Sequence, residues 1–413
     1  MNKVELLAPA GNLERLKMAI TYGADAVYAG GEEFSLRAAA KNFSRDDLAR
    51  GLEFAHTHGK KMYITANIIP HNADADAFPE FLEEMNALCP DGLIIADLGL
   101  FSLARQYAPK IPIHVSTQAN NVNYRTAAAW HELGAKRVVL ARELSFDEIR
   151  EIREKTPPDL ELEAFVHGAM CISYSGRCLL SSYMTGRDAN HGECAHPCRW
   201  NYSLVEQKRP GEYMDVVENE RGSFIFNSRD LCMIEYIPEL LQSGITSLKL
   251  EGRVKTEYYV ATVVKAYRAA IDSYLENPDG YRFQPEWLEE LHKVSNRRYT
   301  TGFYLEKPRQ DAQVYGSSSY IRTYDIVGMV TDYDEESGET IVEQRNRFFE
   351  GDTLEIVPPS GSFVPYTVTE LKNEDGETIS CAPHAQQILR MRLPQRFPER
   401  TMLRKKRQEQ ENR

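Results

Sequence analysis

The chain has 413 residues, which at ~150 residues per domain corresponds to two or three domains, or to one large barrel with an appendage. Hydrophobic residues make up 42% and charged residues 27%, a composition that excludes a fully disordered chain. No apolar run approaches the ~18 residues of a transmembrane helix, and the N-terminus has no signal-peptide core, so we expect a cytoplasmic protein without membrane contact. The 49 basic and 61 acidic residues give a net charge of −12, so any RNA contact is expected to be local.

Short apolar runs alternate with amphipathic segments over residues 1–275. Eight of the runs are apolar on both faces, as the strands of a covered parallel sheet are. They are Val4–Leu7, Ala26–Ala29, Met62–Ala66, Gly92–Ala96, Ile113–Ser116, Arg137–Leu140, Leu162–Val166 and Ser247–Leu250. Eight βα units match an α/β fold of the (β/α)8 type, a TIM-like barrel. An open doubly wound sheet is the alternative, and the count of eight favours the barrel.

Helix-start signals support these units. Asn12 and Ser44 each precede an amphipathic run, and Ser145 forms a capping box with Glu148. A long helix is predicted over Thr256–Leu275, after the eighth strand. Residues 1–280 are therefore predicted to form a catalytic barrel.

The connection after the seventh strand is unusually long, with about eighty residues between Val166 and Ser247. A helix is predicted over Asp230–Ser243, with Asp230 as its N-cap and Cys232 in its first turn, where the helix N-terminus favours a thiolate. The rest, residues 167–229, is predicted to be an insertion. Because loops after barrel strands open on the carboxyl face, the insertion is expected to cover the active-site mouth.

The hydrophobic period changes to two from Tyr324 onward. Residues 281–318 are predicted to be a linker region with a short helix near Glu286–Val294, and residues 319–395 a small antiparallel β-barrel with Pro365 on an edge strand. Residues 396–413 carry seven basic residues against three glutamates and are predicted to be a basic tail. A solvated end is one interpretation of this tail, and an arm that contacts phosphate is the other.

Five of the seven cysteines lie within 62 residues. Six residues separate Cys171 from Cys178, fifteen separate Cys178 from Cys194, three separate Cys194 from Cys198, and thirty-three separate Cys198 from Cys232. Thiolates on a cytosolic loop suit iron–sulfur clusters and zinc, and the wide, irregular spacing without CxxC pairs favours a cluster. Scattered buried thiols and a redox disulfide are the alternatives.

Polar residues follow the predicted strands at their carboxyl ends, where the strands of a barrel converge on one mouth. Common nucleotide-binding and hydrolase signatures are absent from the sequence. We predict Glu143, His167 and Glu251 as catalytic residues, and Asn67, Gln118, Arg142, Arg229, Lys249 and Arg253 as substrate-binding residues. The cations among them are suited to carboxylate or phosphate groups. Pairing inside the barrel is the alternative for Lys249 and Glu251, and a hydrogen-bonded core position is the alternative for His167.

The segment Glu163-Ala-Phe-Val-His-Gly-Ala-Met-Cys171, continued to Gly176-Arg-Cys178-Leu-Leu-Ser181, closely resembles the signature of the collagenase-like peptidases of unknown catalytic type, family thirty-two of that class. Leu7–Gly11, Asn227–Cys232 and Lys249–Lys255 also resemble this family. The resemblance runs nearly end to end and includes the predicted C-terminal β-barrel.

Within the family, the resemblance is strongest to members that hydroxylate the wobble uridine of tRNA at C5 in a prephenate-dependent reaction. It implies an oxygen-independent enzyme that contacts the tRNA anticodon loop, uses prephenate as co-substrate and carries a [4Fe–4S] cluster. The ligand pattern of related members best matches Cys171, Cys178, Cys194 and Cys232, with Cys198 as an alternative ligand. A paralogous family member is a further expected partner. A collagenase-like peptidase and a non-catalytic iron–sulfur scaffold are the alternative functions.

Overall fold

The computed structural model describes residues 4–36, 42–170, 178–200, 218–219, 222–223, 229–305 and 321–407. Eight parallel strands form the first part of the molecule. The first seven are β1 (Glu5–Ala10), β2 (Ala26–Gly30), β3 (Lys61–Ala66), β4 (Gly92–Ile95), β5 (Ile113–Val115), β6 (Arg137–Val139) and β7 (Glu161–Ala169). The excursion after β7 contains β8 (Glu218–Asn219), β9 (Gly222–Ser223) and β10 (Asp230–Cys232), and the chain then enters the eighth barrel strand, β11 (Ser247–Leu250).

The eight strands close into a barrel. Each of β1 to β7 pairs in parallel with its neighbour, and β11 pairs in parallel with both β1 and β7. Every predicted apolar run overlaps one of these strands, so the TIM-like barrel is confirmed. The strands are short and buried on both faces because helices cover the outside.

Ten α-helices accompany the strands in the described residues. They are α1 (Leu13–Thr21), α2 (Arg45–Thr57), α3 (Asn72–Leu88), α4 (Leu98–Tyr107), α5 (Tyr124–Glu132), α6 (Phe146–Glu154), α7 (Leu180–Thr185), α8 (Ile237–Gln242), α9 (Glu257–Glu276) and α10 (Pro285–Lys293). The predicted caps are present: Asn12 Oδ1 accepts from the Arg15 amide at 2.9 Å, and Ser145 and Glu148 form a capping box. None of these helices combines the length and apolarity needed to span a bilayer.

The predicted helix over Asp230–Ser243 is wrong for its first part. Strand β10 pairs antiparallel with β7 and parallel with β12 (Tyr299–Thr300). A 3₁₀ turn over Ile234–Tyr236 follows, and only Ile237–Gln242 is α-helical. Asp230 is therefore not an N-cap. Its backbone is extended because partners distant in sequence, on β7 and β12, provide a sheet ladder that no local pattern reveals.

The C-terminal unit is a curled antiparallel sheet, as expected. Its strands and the short pairs beside it are β13 (Tyr324–Asp334), β14 (Glu339–Gln344), β15 (Phe348–Phe349), β16 (Thr353–Val357), β17 (Val364–Thr367), β18 (Lys372–Asn373), β19 (Cys381–Ala382), β20 (Ile388–Met391) and β21 (Met402–Lys406). The seven-stranded order is β17-β16-β21-β13-β14-β20-β18. Pro365 lies in β17 at the edge, where its missing N–H costs no ladder bond.

The predicted basic tail needs a correction. Within residues 396–407, Met402–Lys406 form β21 between β13 and β16, so this part belongs to the sheet. Arg404 is fully buried because its guanidinium bonds to Glu290 on α10 at 2.6 and 2.8 Å and to Glu355 on β16 at 2.7 Å. Residues 408–413 of the predicted tail lie outside the described residues.

A tyrosine joins the barrel to the sheet. Tyr22, directly after α1, donates its hydroxyl toward the carbonyls of Val357 and Arg400, each at 2.9 Å, and accepts from the Met402 amide at 3.3 Å. The two units therefore share a packed, hydrogen-bonded junction on the flank of the barrel.

Candidate active site at the carboxyl ends of the barrel strands

The barrel brings most of the predicted site residues to one end. Parallel strands have their carboxyl ends on the same side, so residues that follow different strands surround one mouth. They are Asn67 after β3, Gln118 in the 3₁₀ turn after β5, Arg142 and Glu143 after β6, and Glu251 and Arg253 after β11. All are buried or half-buried.

Arg253 is bound to the loop that follows β2. Its Nη1 donates to Ser35 Oγ at 2.8 Å and to the Leu36 carbonyl at 2.9 Å, and its Nη2 donates to Asn42 Oδ1 at 2.8 Å. The residue is only 4% exposed. A Cβ at Gly30 would lie 2.1 Å from Ser35 Oγ and 2.3 Å from Arg253 Nη2, so this close approach requires glycine. The guanidinium thus holds one wall of the mouth in place.

Arg142 and Glu143 form the wall beside β7. Arg142 Nη1 donates to the Ala169 carbonyl at 2.8 Å, and its guanidinium lies 5.2 Å from the centre of the Phe165 ring. Burial raises the pKa of Glu143 above its ordinary value, and the positive charge of Arg142 opposes this only in part. A carboxyl group whose pKa is raised by burial is a candidate for proton transfer.

Lys249 lies inside the barrel on β11. Its Nζ donates to Glu163 Oε1 at 2.7 Å, and the two side chains are 5% and 0% exposed. The ammonium lies 4.4 Å from the centre of the Tyr28 ring and 5.3 Å from that of Phe165. Above this layer, the Tyr28 hydroxyl donates to the Leu250 carbonyl at 2.9 Å and approaches Glu251 Oε2 at 3.3 Å. The interior pairing that the sequence left as an alternative for Lys249 is therefore present.

A larger ionic network surrounds this pair, and the sequence reasoning did not identify it. Arg137 on β6 bonds to Glu163 at 2.9 Å, to Glu5 at 2.6 Å and to Glu161 at 2.7 and 2.8 Å. The Tyr63 hydroxyl donates to Glu5 at 2.6 Å. The available signal was the charged residue inside apolar strand sequences, such as Glu163 between Leu162 and Ala164.

The charges of this network set its protonation state. Burial alone would raise the pKa of Glu163, but Lys249 and Arg137 outweigh this effect and hold the pKa below its ordinary value. Glu163 is therefore an anion at neutral pH, and it neutralises cations that would otherwise be costly to bury.

Asn67 and Gln118 lie on the opposite side of the mouth. Asn67 Nδ2 donates to Ser116 Oγ at 3.4 Å, and the Gln118 carbonyl accepts from Asn120 Nδ2 at 2.9 Å. Both side chains are half-buried. Their roles in substrate binding stay a prediction.

His167 packs against the helix layer. Its ring lies 5.5 Å from that of Tyr267 and 6.1 Å from that of Tyr259, both on α9, and its Nδ1 is 3.5 Å from the Tyr267 hydroxyl. Burial, together with the positive charge of Lys255, lowers the pKa of His167 to about 3. The imidazole is neutral at physiological pH, and its Nε2 has no hydrogen-bond partner among the described residues. Its catalytic role stays a prediction.

Cys232 lies in β10, not in a helix, so the expected effect of a helix N-terminus on its thiol is wrong. It is the register partner of His167, and its sulfur accepts from the Tyr267 hydroxyl at 3.9 Å. Burial raises the pKa of Cys232 to about 12, with small opposing effects from the Ile234 amide and Tyr267. Without a metal, this side chain is therefore a protonated, buried thiol.

The remaining clustered cysteines lie in the excursion after β7. Cys178, Cys194 and Cys198 are half-buried and form no disulfide, and the Cys194 sulfur accepts from the His196 amide at 3.4 Å. Cys171 lies outside the described residues. Within the part of the chain that the structure describes, no three His, Cys, Asp or Glu side chains come together as a metal site. The described thiols thus do not by themselves fit a cubane cluster, and the cluster stays a prediction.

The excursion docks on the loop between β3 and α3. His191 Nε2 lies 3.1 Å from Asp74 Oδ2, and the Ile69 amide donates to the Asn190 carbonyl at 3.1 Å. Asn190 Nδ2 in turn donates to the Cys178 carbonyl at 3.3 Å. These contacts place residues 178–200 beside the mouth, as the sequence predicts.

Arg229 and Asp230 begin the return of the chain to the barrel. Arg229 is half-buried, and its Nε has no hydrogen-bond acceptor among the described residues. Asp230 Oδ1 accepts from Arg297 Nε at 3.0 Å and Nη2 at 2.7 Å. Arg297 is 2% exposed and holds β10 against β12.

Comparison with known proteins identifies the family. The model for peptidase family U32 matches residues 11–314, and the model for the U32 C-terminal domain matches residues 322–404. The chain belongs to peptidase family U32. The U32 signature segment runs along β7, from Glu163 inside the barrel to the start of the cysteine-bearing excursion.

Relatives of this U32 protein carry two kinds of name. The tRNA hydroxylation protein P1 of Bacillus subtilis is 43% identical over 98% of this chain and 95% of the relative. The tRNA hydroxylation protein P of Escherichia coli is 40% identical over 93% of this chain and 92% of the relative. A protein of Porphyromonas gingivalis named Collagenase is 31% identical over 94% of each chain.

Proposed function

We propose that this chain is a tRNA-modifying enzyme that hydroxylates the wobble uridine at C5. The observation that carries the proposal is the identity of 40–43% to proteins named for tRNA hydroxylation, over more than nine-tenths of both chains. The protein named Collagenase is less similar, at 31% identity. The barrel supplies an enzyme scaffold with polar residues gathered at its carboxyl end.

The reaction sets requirements that the chain must meet. Replacing C5–H by C5–OH adds one oxygen atom and removes two electrons from the pyrimidine, and protein side chains do not supply this redox chemistry. A [4Fe–4S] cluster on Cys171, Cys178, Cys194 and Cys232 is the group that we propose for this role. The described cysteines do not form a three-ligand set on their own.

Prephenate is the proposed co-substrate, and the mouth offers cations for its two carboxylates. Arg142 and Arg229 are half-buried at the rim, and Lys249 lies at the base beside Glu163. Guanidinium groups bind carboxylates through paired N–H donors, and a buried ammonium adds a fixed point charge. Arg253 acts here as a positioning residue, since its donors bind the loop after β2.

Access of the wobble base is compatible with this geometry. Bases of a single-stranded loop can be splayed out and read in a pocket. Exposed apolar side chains beside the mouth offer stacking surfaces: Tyr183 is 87% exposed on α7, and Trp200 is 44% exposed after the following 3₁₀ turn. With a net charge of −12, the RNA contact is restricted to such local surfaces.

The test uses deletion of the gene in its own host, so that any paralogous partner remains present. Mass spectrometry of tRNA nucleosides is expected to show loss of wobble 5-hydroxyuridine and its derivatives, with recovery when the wild-type gene is restored. A block in prephenate synthesis is expected to give the same loss. Unchanged tRNA nucleosides after deletion contradict the proposal, and gelatin cleavage by the pure protein supports the peptidase alternative.

A further inference from the structure

A second cavity lies on the flank of the barrel, at the junction with the C-terminal sheet. Its volume is about 470 Å³, within the ~300–1,000 Å³ typical of small-molecule sites. Helices α9 and α10 form two walls, and the loop between β16 and β17 forms the third. The lining includes Lys265, Arg268, Glu286, Trp287, Glu290 and Phe363.

Two aromatic rings shape this cavity. Trp287 on α10 is held in place by Tyr281 and Phe283, whose ring centres lie 6.2 and 5.8 Å from the indole. Phe363 reaches over from the β16–β17 loop and is 40% exposed. Ala266 on α9 also lines the cavity. This arrangement suits a flat ring.

The base of the cavity carries a cation without a carboxylate partner. Lys265 Nζ donates to the Pro358 carbonyl at 2.6 Å, and no ion pair is found for it among the described residues. Burial lowers the pKa of Lys265 to about 8, while Glu290 acts to raise it and Arg404 to lower it.

The other charges of the cavity are neutralised or exposed. Arg268 pairs with Asp25 at 2.9 Å and with Asp272 at 2.5 Å, and Glu290 pairs with Arg404 at 2.6 Å. Glu286 is exposed at the rim. Lys265 is thus the charge that remains available in the cavity among the described residues, and an anionic group there pairs with its ammonium.

We propose that this cavity binds a small molecule that carries a flat ring and one anionic group, either a carboxylate or a phosphate. The ring packs between Trp287 and Phe363, and the anionic group accepts from Lys265. The ligand bridges the barrel and the C-terminal sheet. This site does not depend on the function proposed above, because it lies away from the carboxyl mouth.

The test uses fluorine NMR on the full chain with three probes: 4-fluorobenzoate, 4-fluorophenyl phosphate and the uncharged 4-fluorobenzyl alcohol. The fluorine line is expected to broaden for at least one anionic probe and not for the alcohol. The anionic probe with the larger broadening shows whether carboxylate or phosphate is the preferred anion. Binding is expected to weaken as the pH rises above about 8, because Lys265 then loses its proton.

Two variants locate the binding. Lys265→Met is expected to weaken it roughly tenfold or more, as loss of a charge-assisted hydrogen bond does, and Trp287→Ala is expected to abolish the broadening. The matched controls are Lys110→Met at an exposed position and Trp130→Phe at a half-buried position on α5. Both variants should bind the probes as the wild type does. Absence of binding by both anionic probes, or equal binding by wild type and both cavity variants, overturns the proposal.

Discussion

Glu163 and Lys249 form an ion pair of 2.7 Å between neighbouring strands inside the barrel. The interior of a TIM-like barrel is usually filled by branched apolar side chains, and charges placed there lose their hydration. Here Arg137 donates a second bond to Glu163 at 2.9 Å, and Glu5 balances the added positive charge. The barrel core is therefore held by a closed set of opposite charges.

Neutralising Glu163 should destabilise the barrel. Glu163→Gln leaves Arg137 and Lys249 with uncompensated buried charge, so we expect the free energy of unfolding to fall by about 3–5 kcal/mol. Urea denaturation followed by circular dichroism measures the loss. The matched control is Glu151→Gln, whose side chain is 52% exposed in its pair with Lys155 and which should cost less than about 1 kcal/mol. Equal losses in the two variants would contradict the assignment.

The same carboxylate should make stability depend on pH in a defined direction. The pKa of Glu163 is lower in the folded protein than its ordinary value of 4.5, so its ionised form stabilises the fold above that pH. The contribution is lost as the pH falls through the folded pKa. We therefore expect the difference in unfolding free energy between wild type and Glu163→Gln to be constant from pH 7 to 5 and to shrink below pH 4.5. A difference that grows on acidification would refute this.

Arg253 should control the order of the loop after β2. Arg253→Lys keeps the charge but cannot reproduce the forked contacts to Ser35, Leu36 and Asn42. Hydrogen exchange measured by mass spectrometry should rise by about tenfold or more for amides of the described residues 31–36, which corresponds to about 1.4 kcal/mol of lost protection. Arg105→Lys on the exposed side of α4 serves as the control. Unchanged hydrogen exchange in the Arg253 variant would show that these contacts do not order the loop after β2.

The clustered cysteines should determine the iron content. Protein purified without oxygen is expected to be brown and to hold roughly four irons per chain. Serine variants of the four proposed ligands, Cys171, Cys178, Cys194 and Cys232, should lose most of this iron, because an oxygen ligand replaces a thiolate poorly.

Three further serine variants complete the iron experiment. Cys89 and Cys381 lie far in sequence from the clustered cysteines. The variants Cys89→Ser and Cys381→Ser should therefore have the same iron content as the wild type. Cys198→Ser distinguishes the alternative ligand sets, since it should keep its iron only if Cys171, Cys178, Cys194 and Cys232 are the four ligands. Iron-free wild-type protein prepared without oxygen would contradict the cluster.

The barrel could be predicted from the sequence because its strands are short, apolar on both faces and separated by capped helices. These signals act over a few residues: Asn12 reaches Arg15, and Ser145 reaches Glu148. Each strand also pairs with the next strand in sequence until the barrel closes, so the order of the strands required no long-range information.

Elements that depend on distant partners could not be predicted in this way. Asp230 precedes an amphipathic run and resembles a cap, but its carboxylate binds Arg297, 67 residues further along the chain. Arg404 lies in a basic segment that resembles a solvated tail, but Glu290 and Glu355 bury it. Asp230 was interpreted as a helix cap and Arg404 as part of a tail because the partner of each is invisible in the local pattern.

Strand β7 has a divided role. Its first part closes the barrel against β11, and its last residues, His167–Ala169, pair with β10 as the chain returns. The cysteine-bearing excursion therefore begins at the end of β7 and ends at β10. Because these two strands pair with each other, both ends of the excursion are fixed. Such a segment can gain or lose residues at small entropic cost and without disturbing the closure of the barrel. Variation in length between related proteins is thus expected to concentrate between Ala169 and Asp230.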